Sequence, residues 1–146
     1  MPNIAFIHPI SLAILLVVAI VASGGCGPPF GSSASALKPV ASPDGAMALT
    51  PSVNQSRADA TKYLCVAFDI HDGTGTLIHS VQSSASDTQK WAIGWFDDKT
   101  IVLYSSDIGT SAWKLAEDGT ISKLPSPVPT ELIDFGKRIK STKYDG

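Results

Sequence analysis

Lys90–Ser105 reads KWAIGWFDDKTIVLYS, and this stretch decides the fold class. Trp91, Ile93 and Trp95 alternate onto one face, Asp97-Asp98-Lys99 supplies turn chemistry, and Thr100–Ser105 returns as a run of β-formers. Period 2 on both sides of an acidic turn is the pattern of a hairpin. Towards the carboxyl end, Ser111–Ala116 and Thr120–Leu124 flank Glu117-Asp118-Gly119 and make a second hairpin. A two-residue loop there would set Lys114 against Lys123, whereas a three-residue loop with a left-handed Gly119 pairs Leu115 with Ile121, which is the better cross-strand match. Towards the amino end, Leu64, Val66, Phe68 and Ile70 share the apolar face of a strand whose mixed face carries Tyr63, Cys65, Ala67 and Asp69. His71–Gly75 turns the chain into a strand over Thr76–Gln82, and Ser83–Gln89 reads as a polar loop.

Pro125, Pro127 and Pro129 end strand pairing because each lacks the ladder donor. Thr130 then caps a helix with Leu132, Phe135 and Ile139 on one stripe, acidic residues early and basic residues late, weakened by Gly136 inside it. The expectation is a mainly β (α+β) domain over residues 61–146. It consists of a small antiparallel β-meander sheet of about six strands, one face covered by a C-terminal amphipathic helix.

The 146-residue chain carries 11 basic and 13 acidic side chains for a net charge of −2, and none of the first 37 residues is Asp, Glu, Lys or Arg. That balance excludes the usual basic footprint for nucleic acid. Two cysteines build neither a disulfide scaffold nor a Cys-rich zinc site. The uncharged first segment holds ISLAILLVVAIVA over Ile10–Ala22, then Ser23, Gly24, Gly25 and Cys26. An apolar run ending in small residues is an export signal.

With a cysteine directly after the small residues, the leader resembles that of bacterial lipoproteins, with Gly24, Gly25 and Cys26 matching the last three places of the lipobox. The resemblance implies a signal peptide over 1–25, lipidation of Cys26, and a bacterial cell envelope address facing the periplasm. Gly27 resembles the pattern sorted to the outer membrane. An ordinary cleaved signal and an uncleaved, single-pass anchor over Ile4–Ala22 are the alternatives. Residues 26–60, rich in Pro, Gly, Ser and Ala, read as a flexible tether. If Cys26 is acylated, Cys65 has no partner in the chain; otherwise a bridge between the two becomes possible.

No nucleophile elbow occurs, and Ser111-Ala112-Trp113-Lys114 matches Ser-x-x-Lys only as a string, because i and i+3 of a strand point to opposite faces. Asp69, His71, Asp72 and His79 form the one acid-base or metal constellation, but two His ligands there do not obviously converge, and a turn at Asp72-Gly73 with a half-exposed strand position for His79 is the better account of them. Asp97, Asp98, Asp107, Glu117 and Asp118 lie at turns, where carboxylates bond nearby backbone donors. The distinctive loop is Ser105–Thr110, flanked by Tyr104 and Trp113; Ser106, Asp107, Thr110 and Trp113 are its candidate ligand contacts. The reading is a lipid-anchored envelope accessory or binding module without catalysis or cofactor, its partners the membrane and an envelope protein. A small His/Asp-dependent hydrolase or metal-binding enzyme is the rival.

Overall fold

The computed structural model describes residues 34–54 and 65–145. Two antiparallel sheets stack face to face, and a helix covers the outer face of the second. The first sheet contains β1 (Ala34–Ala36), β2 (Val40–Ala41), β3 (Met47–Asn54), β4 (Cys65–Asp72) and β5 (Leu77–Ser86), in the order β1-β3-β4-β5 with β2 also paired to β3. The second is a meander of β6 (Trp91–Trp95), β7 (Thr100–Ser105), β8 (Gly109–Leu115) and β9 (Ile121–Lys123), followed by α1 (Thr130–Tyr144).

The mainly β class with a terminal helix is as the sequence indicates, but the strands divide between two sheets where a single one was expected. The reason lies in β7. Ile101 and Leu103 point into the space between the sheets while Val102 points to α1, and all three are fully buried. A strand apolar on both faces needs cover on both. Between the sheets lie Leu49, Val66, Phe68, Ile70 and the three tryptophans, with Phe68 edge-on to Trp113 at 5.2 Å between ring centroids. Each fully buried aliphatic or phenyl side chain there stabilises the fold by about 1.5–3 kcal/mol.

The sandwich also corrects the boundary of the tether. Residues 34–54, placed by composition in the flexible segment 26–60, supply β1, β2 and β3, and β3 pairs with β4 from Met47↔Asp72 to Ser52↔Ala67. MALTPSVN alternates Met47, Leu49, Pro51 and Val53 onto the core face, a period-2 signal obscured by its proline. Pro51 is accommodated because the chain beside it is interrupted. The Leu37 amide donates to the Pro51 carbonyl at 2.8 Å, so the proline nitrogen faces the same side, in the gap between β1 and β2 where no ladder donor is required. The expected polar loop at Ser83–Gln89 is likewise half strand: β5 runs to Ser86 through register shifts against β4, with Ser83, Ala85 and Ser86 buried. Leu64 lies outside the described residues. The β8–β9 register is the anticipated one, Leu115↔Ile121, with Gly119 at φ 83°.

Helix α1 begins one residue away from the expected cap. Pro129 holds the N-cap position and no side chain caps it; the Pro129 carbonyl accepts from the Leu132 and Ile133 amides at 3.0 and 3.2 Å. The proline-rich approach stays extended through Pro129, so Thr130 is already helical. Phe135 and Ile139 lie over Gly94, and Gly136 is the point of closest approach: a Cβ there would stand 3.1 Å from Thr110 Oγ1 and 3.4 Å from Tyr104 Cβ. The glycine costs helix propensity and admits β7 and β8 to the helix surface. At its end, Tyr144 Oη donates to the Trp91 carbonyl at 3.0 Å and accepts from the Trp91 amide at 3.2 Å, while Lys143 sits 3.6 Å over the Trp91 ring. These contacts occupy the free edge of β6.

Two outcomes follow. Leu49→Ala lowers unfolding free energy by about 2–5 kcal/mol in urea titration, a loss that a residue in a free tether cannot produce. Gly136→Ala yields less than the ~1 kcal/mol that helix propensity alone would add, and the shortfall disappears in a Thr110→Ala background, as a double-mutant cycle reads directly.

Candidate functional site

The histidines do not converge. Ile70 pairs with His79 and faces the core, so His79 shares that face, whereas His71 pairs with Ala48 and takes the opposite one. His79 Nε2 bonds the Gly119 carbonyl at the β8–β9 turn; a carbonyl only accepts, so this nitrogen carries the proton. Asp72 accepts from the Thr74 hydroxyl at 2.6 Å and from the Thr74 and Thr76 amides at 2.9 Å, which holds its carboxyl below the ordinary Asp range. Asp69 accepts from Ser80 Oγ at 2.6 Å. Asp69, Asp72 and His79 thus each have their own structural partner, His71 stands on the opposite face, and among the described residues no three His, Cys, Asp or Glu side chains are grouped to hold a metal.

The four loop candidates also part company. Ser106 is exposed, with its amide on the Lys90 carbonyl at 2.9 Å. Asp107 accepts from Ser105 Oγ and, at 2.9 Å, from the Ser86 amide, tying the β7–β8 turn to the end of β5. Partial burial pushes the Asp107 carboxyl up, but the Ser105 hydroxyl, the Ser86 amide and the adjacent backbone together outweigh it and leave the group below the usual value. Trp113 is buried between the sheets. Thr110 lies on the other face of β8, against Gly136 of the helix.

Of the four, Thr110 borders a concavity. An open cleft of about 210 Å³ lies at one edge of the sandwich, with Ser84 from β5, Thr110 and Ser111 from β8, Lys123 from β9, and Ile108, Leu124, Ser126 and Val128 from the connecting segments. Sequence reading missed Ser84, Ser111, Lys123 and Ser126 because they come from separate segments spread over more than forty positions; the one legible hint was the serine-rich run of β5. At the opposite edge a recess of about 230 Å³ is lined mainly by Leu37, Val40, Pro51, Trp91, Ile93 and Ile139. Its Lys143 is held by the Trp91 carbonyl at 2.9 Å.

Cys65 is fully buried at the start of β4 and is disulfide-bonded. The expected lipidation residue, Cys26, lies outside the described residues, as does the whole leader. Among the described residues no helix is long and apolar enough to cross a membrane. No family model, curated protein or solved structure matches the chain.

Asp107→Ala lowers the melting temperature near pH 7, because the Ser105 hydroxyl and Ser86 amide lose their acceptor. With its folded-state pKa depressed, Asp107 contributes stability above the unfolded-state pKa of about 4 that is lost as pH falls through the folded value. Thermal melts of the variant therefore show a shallower stability loss on acidification below about pH 4 than the parent does.

Proposed function

We propose that the chain is a membrane-tethered accessory or binding module of a bacterial envelope, acting by contact and without catalysis. The observation that carries this reading is the leader: thirteen apolar or hydroxylated residues over Ile10–Ala22 running into Gly24-Gly25-Cys26, for which a soluble fold has no use. Stable retention by lipid takes more than one acyl chain, at about 0.8 kcal/mol per buried methylene, and the acylated cysteine of bacterial lipoproteins supplies it. The β-sandwich then presents its surface to an envelope partner or ligand. The separation of His71 from His79 across the first sheet argues against the rival hydrolase or metal enzyme, since a shared proton or ion requires them on one face. The cleft beside Thr110 is the surface we assign to contact.

One observation favours a second reading of the leader. Cys65 is disulfide-bonded, and the sequence holds a single other cysteine, Cys26. A sulfur in a thioether to diacylglycerol is not available to a disulfide, so a bridge within one chain requires an unacylated Cys26. The chain would then be exported with an ordinary leader or held by an uncleaved Ile4–Ala22 span. Both readings place the module in an oxidising compartment.

Mass spectrometry of the mature amino terminus without reductant separates the two. An acylated Cys26 at the terminus establishes the lipoprotein, with Cys26→Ser releasing the protein from membranes. A Cys26–Cys65 linked peptide establishes the second reading. A mature chain found in the cytosol overturns both. In the same cells, a folded His71→Gln, His79→Gln double variant retains the wild-type phenotype.

A further inference from the structure

We propose that the cleft between β5 and β9 binds a compact oxyanion, a carboxylate or a phosphate, on a ligand no larger than about one sugar ring; this rests on the reading of that cleft as the contact surface of the module. Lys123 is the cationic residue of the lining, and no Asp or Glu lines the cleft. Its ammonium has no ion pair among the described residues, where the paired lysines are Lys137 and Lys140, and its aromatic neighbour Trp113 is 5.7 Å from ring centroid to Nζ. The nearest acid in sequence to the lining, Asp107, is already held by Ser105 and Ser86.

Ser111 strengthens the case. It is 8 % exposed, lines the cleft, and its hydroxyl has no hydrogen-bond partner among the described residues. No buried side-chain nitrogen or oxygen is left unpaired among the described residues, so the Ser111 hydroxyl is the part of that residue that reaches water, at the cleft it lines. Ser84 and Ser126 add two exposed hydroxyls to the rim without described partners. Lysine offers three donors and no acceptor, and a serine hydroxyl can turn its proton toward an acceptor, so the lining as a whole donates. A neutral sugar presents many O–H donors and is held best by carboxylate or amide side chains, which the lining lacks; an oxyanion presents chiefly acceptors and a negative charge, which suit Lys123 and the hydroxyls. Ile108, Leu124 and Val128 lower the local dielectric and strengthen a charge pair formed there. At about 210 Å³ the cleft falls short of the ~300 Å³ at which drug-sized pockets begin, hence the limit on ligand size.

The test uses the full chain in detergent micelles, with amide NMR shifts followed during titration with inorganic phosphate, acetate or glucose at matched ionic strength. Saturable shifts at Ile108, Ser111 and Leu124 with phosphate or acetate are expected, the stronger of the two naming the headgroup. Lys123→Gln weakens this binding about tenfold, as loss of a charged hydrogen bond does, and Ser111→Ala weakens it severalfold with an unchanged melting temperature. Saturation by glucose in place of the anions overturns the proposal, as does anion binding indifferent to Lys123→Gln. Absence of saturable anion shifts also overturns it, and Ser84→Trp, which fills the cleft mouth, then tells the two levels apart. Loss of the cellular phenotype in Ser84→Trp keeps the cleft as contact surface with a different ligand; a retained phenotype removes the contact-surface reading too.

Discussion

Strand β7 is apolar in both directions, and the rest of the molecule is arranged to cover it. Ile101 and Leu103 require a layer on one side, Val102 a layer on the other. The first is the five-stranded sheet, which reaches sufficient width only by recruiting β3 from a stretch that composition assigns to a linker. The second is α1, which approaches closely because Gly94 and Gly136 remove side chains from the contact. Three layers in so short a chain leave modest area per layer, so the large rings of Trp91, Trp95 and Trp113 supply much of the interior.

Hydrophobic contact is non-directional and does not by itself fix how two sheets slide over one another. Here a set of polar ties around the periphery does so. Asp98 accepts from the Asp44 amide at 2.8 Å, Trp95 Nε1 donates to the Val40 carbonyl at 3.0 Å, Asp107 accepts from the Ser86 amide at 2.9 Å, and His79 reaches the Gly119 carbonyl. Each joins one sheet to the other, and together they run along both open edges of the sandwich. Hydrogen bonds weaken steeply with misalignment, so these four set register between layers as the ladders set it within them. Residues that chemistry alone would nominate for catalysis or ligand contact, His79 and Asp107, are held in this frame.

What remains uncommitted is informative by contrast. The turn carboxylates of Asp44, Asp72, Asp107 and Asp118 are occupied by adjacent hydroxyls and amides, and their pKa values are depressed accordingly. Among the described residues the hydroxyl of Ser111 and the ammonium of Lys123 have no such hydrogen-bonded or ion-paired partner, and both line one cleft. The loop Ser105–Thr110 was legible as distinctive, but its distinctiveness is structural at Asp107; its link to the cleft is made at Ile108 and Thr110.

The sequence by itself determined the local elements. Alternation in Trp91–Trp95 and Thr100–Ser105, the three-residue turn ending at Gly119 with Leu115 opposite Ile121, and the amphipathic stripe of α1 all depend on neighbours within a few positions, and their chemistry is written there. The tertiary structure alone decided that strands form two sheets, that Met47–Asn54 is a central strand despite Pro51, that Gly136 is a packing position, and that Ser84, Ser111 and Lys123 share one cleft. Those outcomes depend on which apolar faces find each other across long separations in the chain. No periodicity records that choice, because burial rewards total covered area and leaves the identity of the covering segment to geometry.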